Sequence, residues 1–126
     1  MLYRNILLID DDEDDHEIFL SALENVSDSV NCVTLSNAVI ALEKLTSNEL
    51  QADLIFLDLN MPLMNGQEFL AEIKSRRDLQ EIPVIMLSTS ASHSTAQQSK
   101  DLGAADFITK PDSYDELVRI LKTIFV

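Results

Sequence analysis

Five short apolar runs, separated by amphipathic stretches, restrict this chain to a narrow set of folds. The runs are NILLI (5–9), NCVTL (31–35), DLIFLD (53–58), PVIMLS (83–88) and DFIT (106–109). Each spans four to six residues and is rich in Ile, Leu, Val and Phe. Their apolar residues are continuous rather than alternating, which predicts strands covered on both faces. Strands of that kind belong to parallel sheets, in which each crossover carries a helix.

The intervening stretches have helical periodicity. Ile18, Phe19, Ala22, Leu23 and Val26 fall on one face of a first helix, and Ala38, Ala41, Leu42 and Leu45 on one face of a second. Phe69, Leu70 and Ile73, with Leu79 beyond them, mark a third. The fourth, around 94–102, is weakly apolar, and Leu117, Ile120, Leu121 and Ile124 mark the fifth. Asp14 with Glu17, and Ser113 with Glu116, are spaced as capping boxes. Pro62 and Gly66 punctuate the loop before the third helix, and Gly103 stands where a C-cap belongs after the fourth. The pattern is a strand–helix unit repeated five times: an α/β fold with an open five-stranded parallel sheet, helices on both faces and right-handed crossovers. The 126 residues match one ordinary domain. No linker, repeat or low-complexity segment interrupts them, so the expectation is one domain over 1–126 and no output domain.

Charge narrows the function. Nine basic residues face 22 acidic ones, a formal charge of −13. That balance argues against direct nucleic-acid binding, which needs a basic face, and against docking on anionic lipid. It fits a protein that recruits cations or meets a basic partner surface. Cys32 is the sole cysteine, so no intrachain disulfide forms, and it reads as a small buried hydrophobe. The apolar part of MLYRNILLIDDD is too short for a signal peptide, and no run approaches the roughly 18 residues of a membrane span. The expected location is the cytoplasm.

In a sheet of this type ligands bind beyond the carboxyl ends of the strands. The first run ends on Asp10 and Asp11, the third on Asp58, the fourth on Ser88 and Thr89, and the fifth on Lys110 and Pro111. Three carboxylates, a hydroxyl and an ammonium therefore converge from four strands. Two carboxylates about 4 Å apart repel by about 4 kcal/mol at an effective dielectric of 20. Three need a cation among them or shifted pKa values. Hard oxygen ligands suit Mg²⁺, which often shares its shell with a phosphate. There is no Cys/His cluster to hold zinc. Lys110 brings the positive charge a phosphate would need, Ser88 can donate to a phosphoryl oxygen, and an aspartate can itself be the nucleophile.

The blocks LLIDDDEDD, DLIFLDLNMPLMNG, PVIMLSTS and DFITKP resemble the signature blocks of two-component response-regulator receiver domains, in the right order and over essentially the whole chain. The resemblance implies a flavodoxin-like sheet in the order 2-1-3-4-5. It implies phosphorylation of Asp58 by a phosphohistidine on a sensor histidine kinase or histidine phosphotransfer protein. Asp11 would ligate Mg²⁺ (or Mn²⁺), Asp10 would hold its water shell, and Asp58 and the backbone carbonyl of Asn60 would complete the protein ligands. Ser88 matches the switch hydroxyl and Lys110 the lysine that pairs with the phosphoryl group. Thr89 follows the switch position, and Pro111 follows Lys110 as in the family, where that peptide is commonly cis. Phe107 matches the switch aromatic; without a hydroxyl it loses any partner-facing hydrogen bond. Asn60 and Ser90 flank the site and bear on phosphoryl lifetime. The output surface would be the fourth helix, fifth strand and fifth helix, acting on a downstream protein target or relaying phosphate, as a monomer or a phosphorylation-dependent homodimer. Such a protein is not an enzyme beyond its own phosphorylation and dephosphorylation.

Two other readings compete. A haloacid-dehalogenase-like phosphohydrolase needs a second acid two residues after its nucleophile, and that place holds Asn60. A pseudo-receiver, an interaction module without the chemistry, would not need the full acid set, Ser88 and Lys110. An EF-hand also fails, because Asp15 stands where glycine is needed and Ser21 where the bidentate Glu belongs. Within DDDEDD, then, Asp10 and Asp11 belong to the site and Asp14 to a helix cap. Asp12, Glu13 and Asp15 are expected to face water, as are His16 and His93.

Overall fold

The computed structural model describes residues 3–89 and 92–125. Strands and helices alternate as β1 (Asn5–Ile9), α1 (Glu13–Val26), β2 (Asn31–Leu35), α2 (Ala38–Thr46), β3 (Leu54–Asp58), α3 (Gly66–Ser75), β4 (Val84–Ser88), α4 (His93–Asp101), β5 (Asp106–Thr109) and α5 (Tyr114–Phe125). All neighbouring strands are parallel, in the order β2-β1-β3-β4-β5. This is the order the resemblance implies.

Alternation along the central strands divides the core in two. Leu7, Ile9, Ile55, Leu57, Val84 and Met86 pack on one face with Ala38, Ala41 and Leu45 of α2 and Phe69, Leu70 and Ile73 of α3. Ile6, Leu8, Leu54, Phe56, Ile85 and Leu87 pack on the other with Phe19, Ala22 and Leu23 of α1 and Leu121 and Phe125 of α5. Phe56 sits edge-on to Phe19, with ring centroids 4.9 Å apart. Period-two alternation feeds both layers, so successive residues in the middle of each central run are apolar, and the polar ones (Asn5, Asp58 and Ser88) stand at strand ends.

Several expectations change. Only the three central strands are covered on both faces. β2 and β5 lie at the sheet edges, with Asn31, Val33, Asp106 and Thr109 exposed. Cys32 on β2 is only half-buried, yet burial still pushes its thiol up to about 12. Ile18 is 48% exposed, because the buried stripe of α1 runs through His16, Phe19, Ala22 and Leu23. His16, expected at the surface, is buried with Nε2 against the Asp10 carbonyl oxygen; His93 is exposed. The cap of α1 is Asp12, not Asp14: Asp12 Oδ1 accepts the Asp14 N–H at 2.9 Å.

Ser113 Oγ does accept the Glu116 N–H. Asn37 and Asn65 cap α2 and α3, and Asn65 forms a full capping box with Glu68. Gly103 (φ 109°) closes α4 in a left-handed turn, with Gly103 N–H to Lys100 O and Ala104 N–H to Ser99 O. α4 is the least anchored helix, as its weak periodicity suggests, and its buried residue is Ser99. No cis peptide occurs among the described residues, so Lys110–Pro111 is trans. No helix among them is long and apolar enough to cross a membrane.

Candidate functional site

The sheet ladders continue one residue past the strands. Asp10 N–H bonds Leu35 O, Leu59 N–H bonds Leu87 O, and Lys110 N–H bonds Ser88 O. Asp10, Asp58 and Lys110 are thereby fixed by backbone on one edge. Asp10, Asp11 and Asp58 each bring a carboxylate oxygen within 4.8 Å of the others. Asp10 and Asp58 are buried and Asp11 is exposed, so the cluster opens to solvent on the Asp11 side.

Each group is oriented by a neighbour. Asp10 Oδ1 accepts the Asp12 N–H at 3.0 Å, and Asp10 Oδ2 accepts from Lys110 Nζ at 2.8 Å. Lys110 Nζ lies 3.6 Å from Asp58 Oδ1. It also reaches Asp15 Oδ2 at 2.8 Å, across 95 residues of sequence. Asp15 therefore does not merely face water. Glu13, Asp14 and Asp15 stand in the first turn of α1, where the helix dipole favours anions.

The electrostatics carry the signature of crowded anions. Burial pushes the Asp58 carboxyl up to about 6; Lys110 opposes this, while Asp10 and Asp11 add to it. Burial also raises Asp10, against hydrogen bonds from Lys110 and Asp12. Burial acts to lower Lys110, but its hydrogen bonds to Asp10 and Asp15 outweigh that and raise it, so the ammonium stays charged. Three hard oxygen donors, two of them buried, fit Mg²⁺ or Mn²⁺ and not a softer metal.

The remaining predicted residues lie on β4, on β5 and in the loops that follow β3, β4 and β5. Ser88 is fully buried at the end of β4, in register with Thr109. Thr89 and Asn60 are exposed in the following loops. Phe107 is half-buried on β5 beside Met86 and packs on the core layer of α2 and α3. Pro111 is half-buried and lines a cavity of about 230 Å³ together with Ile18, Phe19, Leu87, Tyr114 and Leu117. Ser90 lies outside the described residues.

Gly66 is a constraint that sequence reading took for loop punctuation. Its N–H bonds Leu59 O at 2.9 Å, seating the start of α3 directly on the end of β3.

Comparison with known proteins agrees with this geometry. The family model of the response regulator receiver domain matches residues 6–122. The chain belongs to the response-regulator receiver family. The receiver is 31% identical over 124 residues to the response regulator Rcp1 of Synechocystis sp., covering 94% of this chain and 84% of that protein. It is 32% identical to the phosphate regulon transcriptional regulatory protein PhoB of Pseudomonas aeruginosa, covering 98% of this chain; the receiver spans only 52% of that relative. Among solved structures it resembles the phosphorylated cyanobacterial phytochrome response regulator RcpA (TM-score 0.88, 36% identity, 97% of this chain and 91% of that one). It also resembles the Mn²⁺-bound form of Rcp1 (TM-score 0.86, 30% identity, 96% and 91%). The acidic cluster of this receiver supplies oxygen donors of the kind such a cation takes.

Proposed function

We propose that this receiver accepts a phosphoryl group on Asp58 from a phosphohistidine of a sensor histidine kinase or histidine phosphotransfer protein, in a Mg²⁺-dependent reaction. The observation that carries the reading is the position of Asp58. It is buried at the end of β3, shares a 4.8 Å cluster with Asp10 and Asp11, and has Lys110 Nζ 3.6 Å away. Asp11, Asp58 and the Asn60 carbonyl would hold Mg²⁺ and Asp10 its water shell; the ion would supply charge neutralisation at the oxygens in transfer.

The protein's own part is positional. An Asp58 carboxylate oxygen attacks phosphorus, the P–N bond to the donor imidazole breaks, and the imidazole leaves with a proton from solvent. Without a cation, burial raises the Asp58 carboxyl to about 6; a divalent cation beside it would favour the carboxylate that attacks. Lys110 balances charge on the phosphoryl oxygens, and the Ser88 hydroxyl donates to one of them. Phe107 and the loosely anchored α4 then shift the surface of α4, β5 and α5 toward a protein target.

Incubation with Mg²⁺ and acetyl phosphate is expected to add one phosphate to the wild-type chain and none to Asp58→Asn. An equal mass gain in both would remove Asp58 from the mechanism.

A further inference from the structure

Lys110 Nζ carries three donors, and two are engaged by carboxylates other than Asp58. Asp10 Oδ2 and Asp15 Oδ2 each lie 2.8 Å away, while Asp58 Oδ1 lies at 3.6 Å, beyond an ordinary N–H···O bond. Asp10 belongs to the acidic cluster, whereas Asp15 does not; it stands on α1. The ammonium is thus drawn toward β1 and α1 and away from the end of β3.

We propose that Asp15 is a positioning residue that holds Lys110 back from Asp58 before phosphorylation and so keeps the carboxylate pocket open to Mg²⁺. An ammonium hydrogen-bonded to Asp58 would compete with the cation for the same oxygens. With Asp15 neutral, Lys110 keeps one anchor, Asp10, and the pull of Asp58 is no longer balanced. On phosphorylation the phosphoryl oxygens offer a stronger anion than Asp15, and Lys110 is released to them. The inference rests on reading Asp10, Asp11 and Asp58 as the cation site.

Removing any nearby acid weakens cation binding through bulk charge, so the test needs a matched control. Asp14 is exposed on the same turn of α1 and makes no ion pair with Lys110 among the described residues. Mg²⁺ affinity of the full chain is measured by calorimetry for wild type, Asp15→Asn, Asp14→Asn, Asp15→Glu, Lys110→Ala and the Lys110→Ala/Asp15→Asn double variant. Asp15→Asn is expected to bind Mg²⁺ about fivefold or more weakly, and Asp14→Asn within about twofold of wild type. Asp15→Glu, which keeps the charge and the reach, is expected to stay near wild type. In the Lys110→Ala background the Asp15→Asn loss is expected to shrink to the Asp14→Asn level. A loss no larger than that of Asp14→Asn, or one undiminished without Lys110, overturns the proposal. Failure of the wild type itself to bind Mg²⁺ would overturn the reading of the cation site, and this inference with it.

Discussion

A methyl group at Gly66 would lie 2.5 Å from the backbone carbonyl oxygen of Asp58. The same methyl would meet Met86 Cε at 2.9 Å and Leu59 Cα at 3.0 Å. Two of these three neighbours are backbone, so the start of α3 must move off the end of β3. Gly66→Ala is expected to lower stability by about 1–3 kcal/mol in urea denaturation. It should also slow phosphorylation by acetyl phosphate, because the displaced atoms carry Asp58. A variant as stable and as reactive as wild type would show that the contact is slack.

The Asp58 carboxyl sets a pH dependence. Its folded value of about 6 stands above the unfolded value of about 3.9, mainly through burial. The folded chain therefore binds more protons than the unfolded chain between those values. Stability falls as pH rises through that window, by about 3 kcal/mol from this group. Asp58→Asn is expected to be more stable than wild type at pH 8 without divalent cation, and close to it at pH 4. Adding Mg²⁺ at pH 8 should raise the wild-type melting temperature and close the gap. A stability difference between the two proteins that does not change with pH would refute this.

The cap of α1 separates two neighbouring acids, Asp12 and Asp14, with Glu13 between them. Asp12→Ala removes the acceptor of the Asp14 N–H and is expected to cost about 1 kcal/mol. Asp14→Ala removes only a first-turn charge and should cost less than about 0.5 kcal/mol. Thermal denaturation of the two variants in Mg²⁺ decides the order, and the reverse order would assign the cap to Asp14.

Ser99 faces the interior from α4 with an Oγ that has no hydrogen-bond partner among the described residues. Burying a hydroxyl unpaired costs about 1–3 kcal/mol. Ser99→Ala is therefore expected to be neutral or stabilising in urea denaturation. A loss above about 1 kcal/mol would show that the hydroxyl is satisfied in solution.

The sheet, its parallel sense and the residues at its edge were legible because each rests on local chemistry. Four continuous apolar residues followed by Asp58 read as a buried strand that delivers a carboxylate to the sheet edge. The edge positions of β2 and β5 were not legible. NCVTL and DFIT read much like the central runs, and only strand order exposes them. The division of DDDEDD was legible in part. Asp10 and Asp11 follow from the strand end, but a run of acids offers several possible caps, and backbone geometry selects Asp12. The pairing of Asp15 with Lys110 depends on how α1 packs beside the end of β5, a distance of 95 residues that no local pattern reports. The burial of His16 has the same origin: it replaces Ile18 in the stripe facing the sheet. The box at Asn65 and Glu68 was present as N-x-x-E and could have been read.

The central claim is that Asp58 carries the phosphoryl group, and its chemistry can be read at the level of one residue. An acyl phosphate is reduced by borohydride to an alcohol, which converts the modified aspartate into homoserine. The chain is treated with acetyl phosphate and Mg²⁺, reduced, digested and sequenced by mass spectrometry. Homoserine at position 58, and unmodified Asp10, Asp11 and Asp15, is the expected result. Homoserine at another aspartate, or at none, would contradict the account.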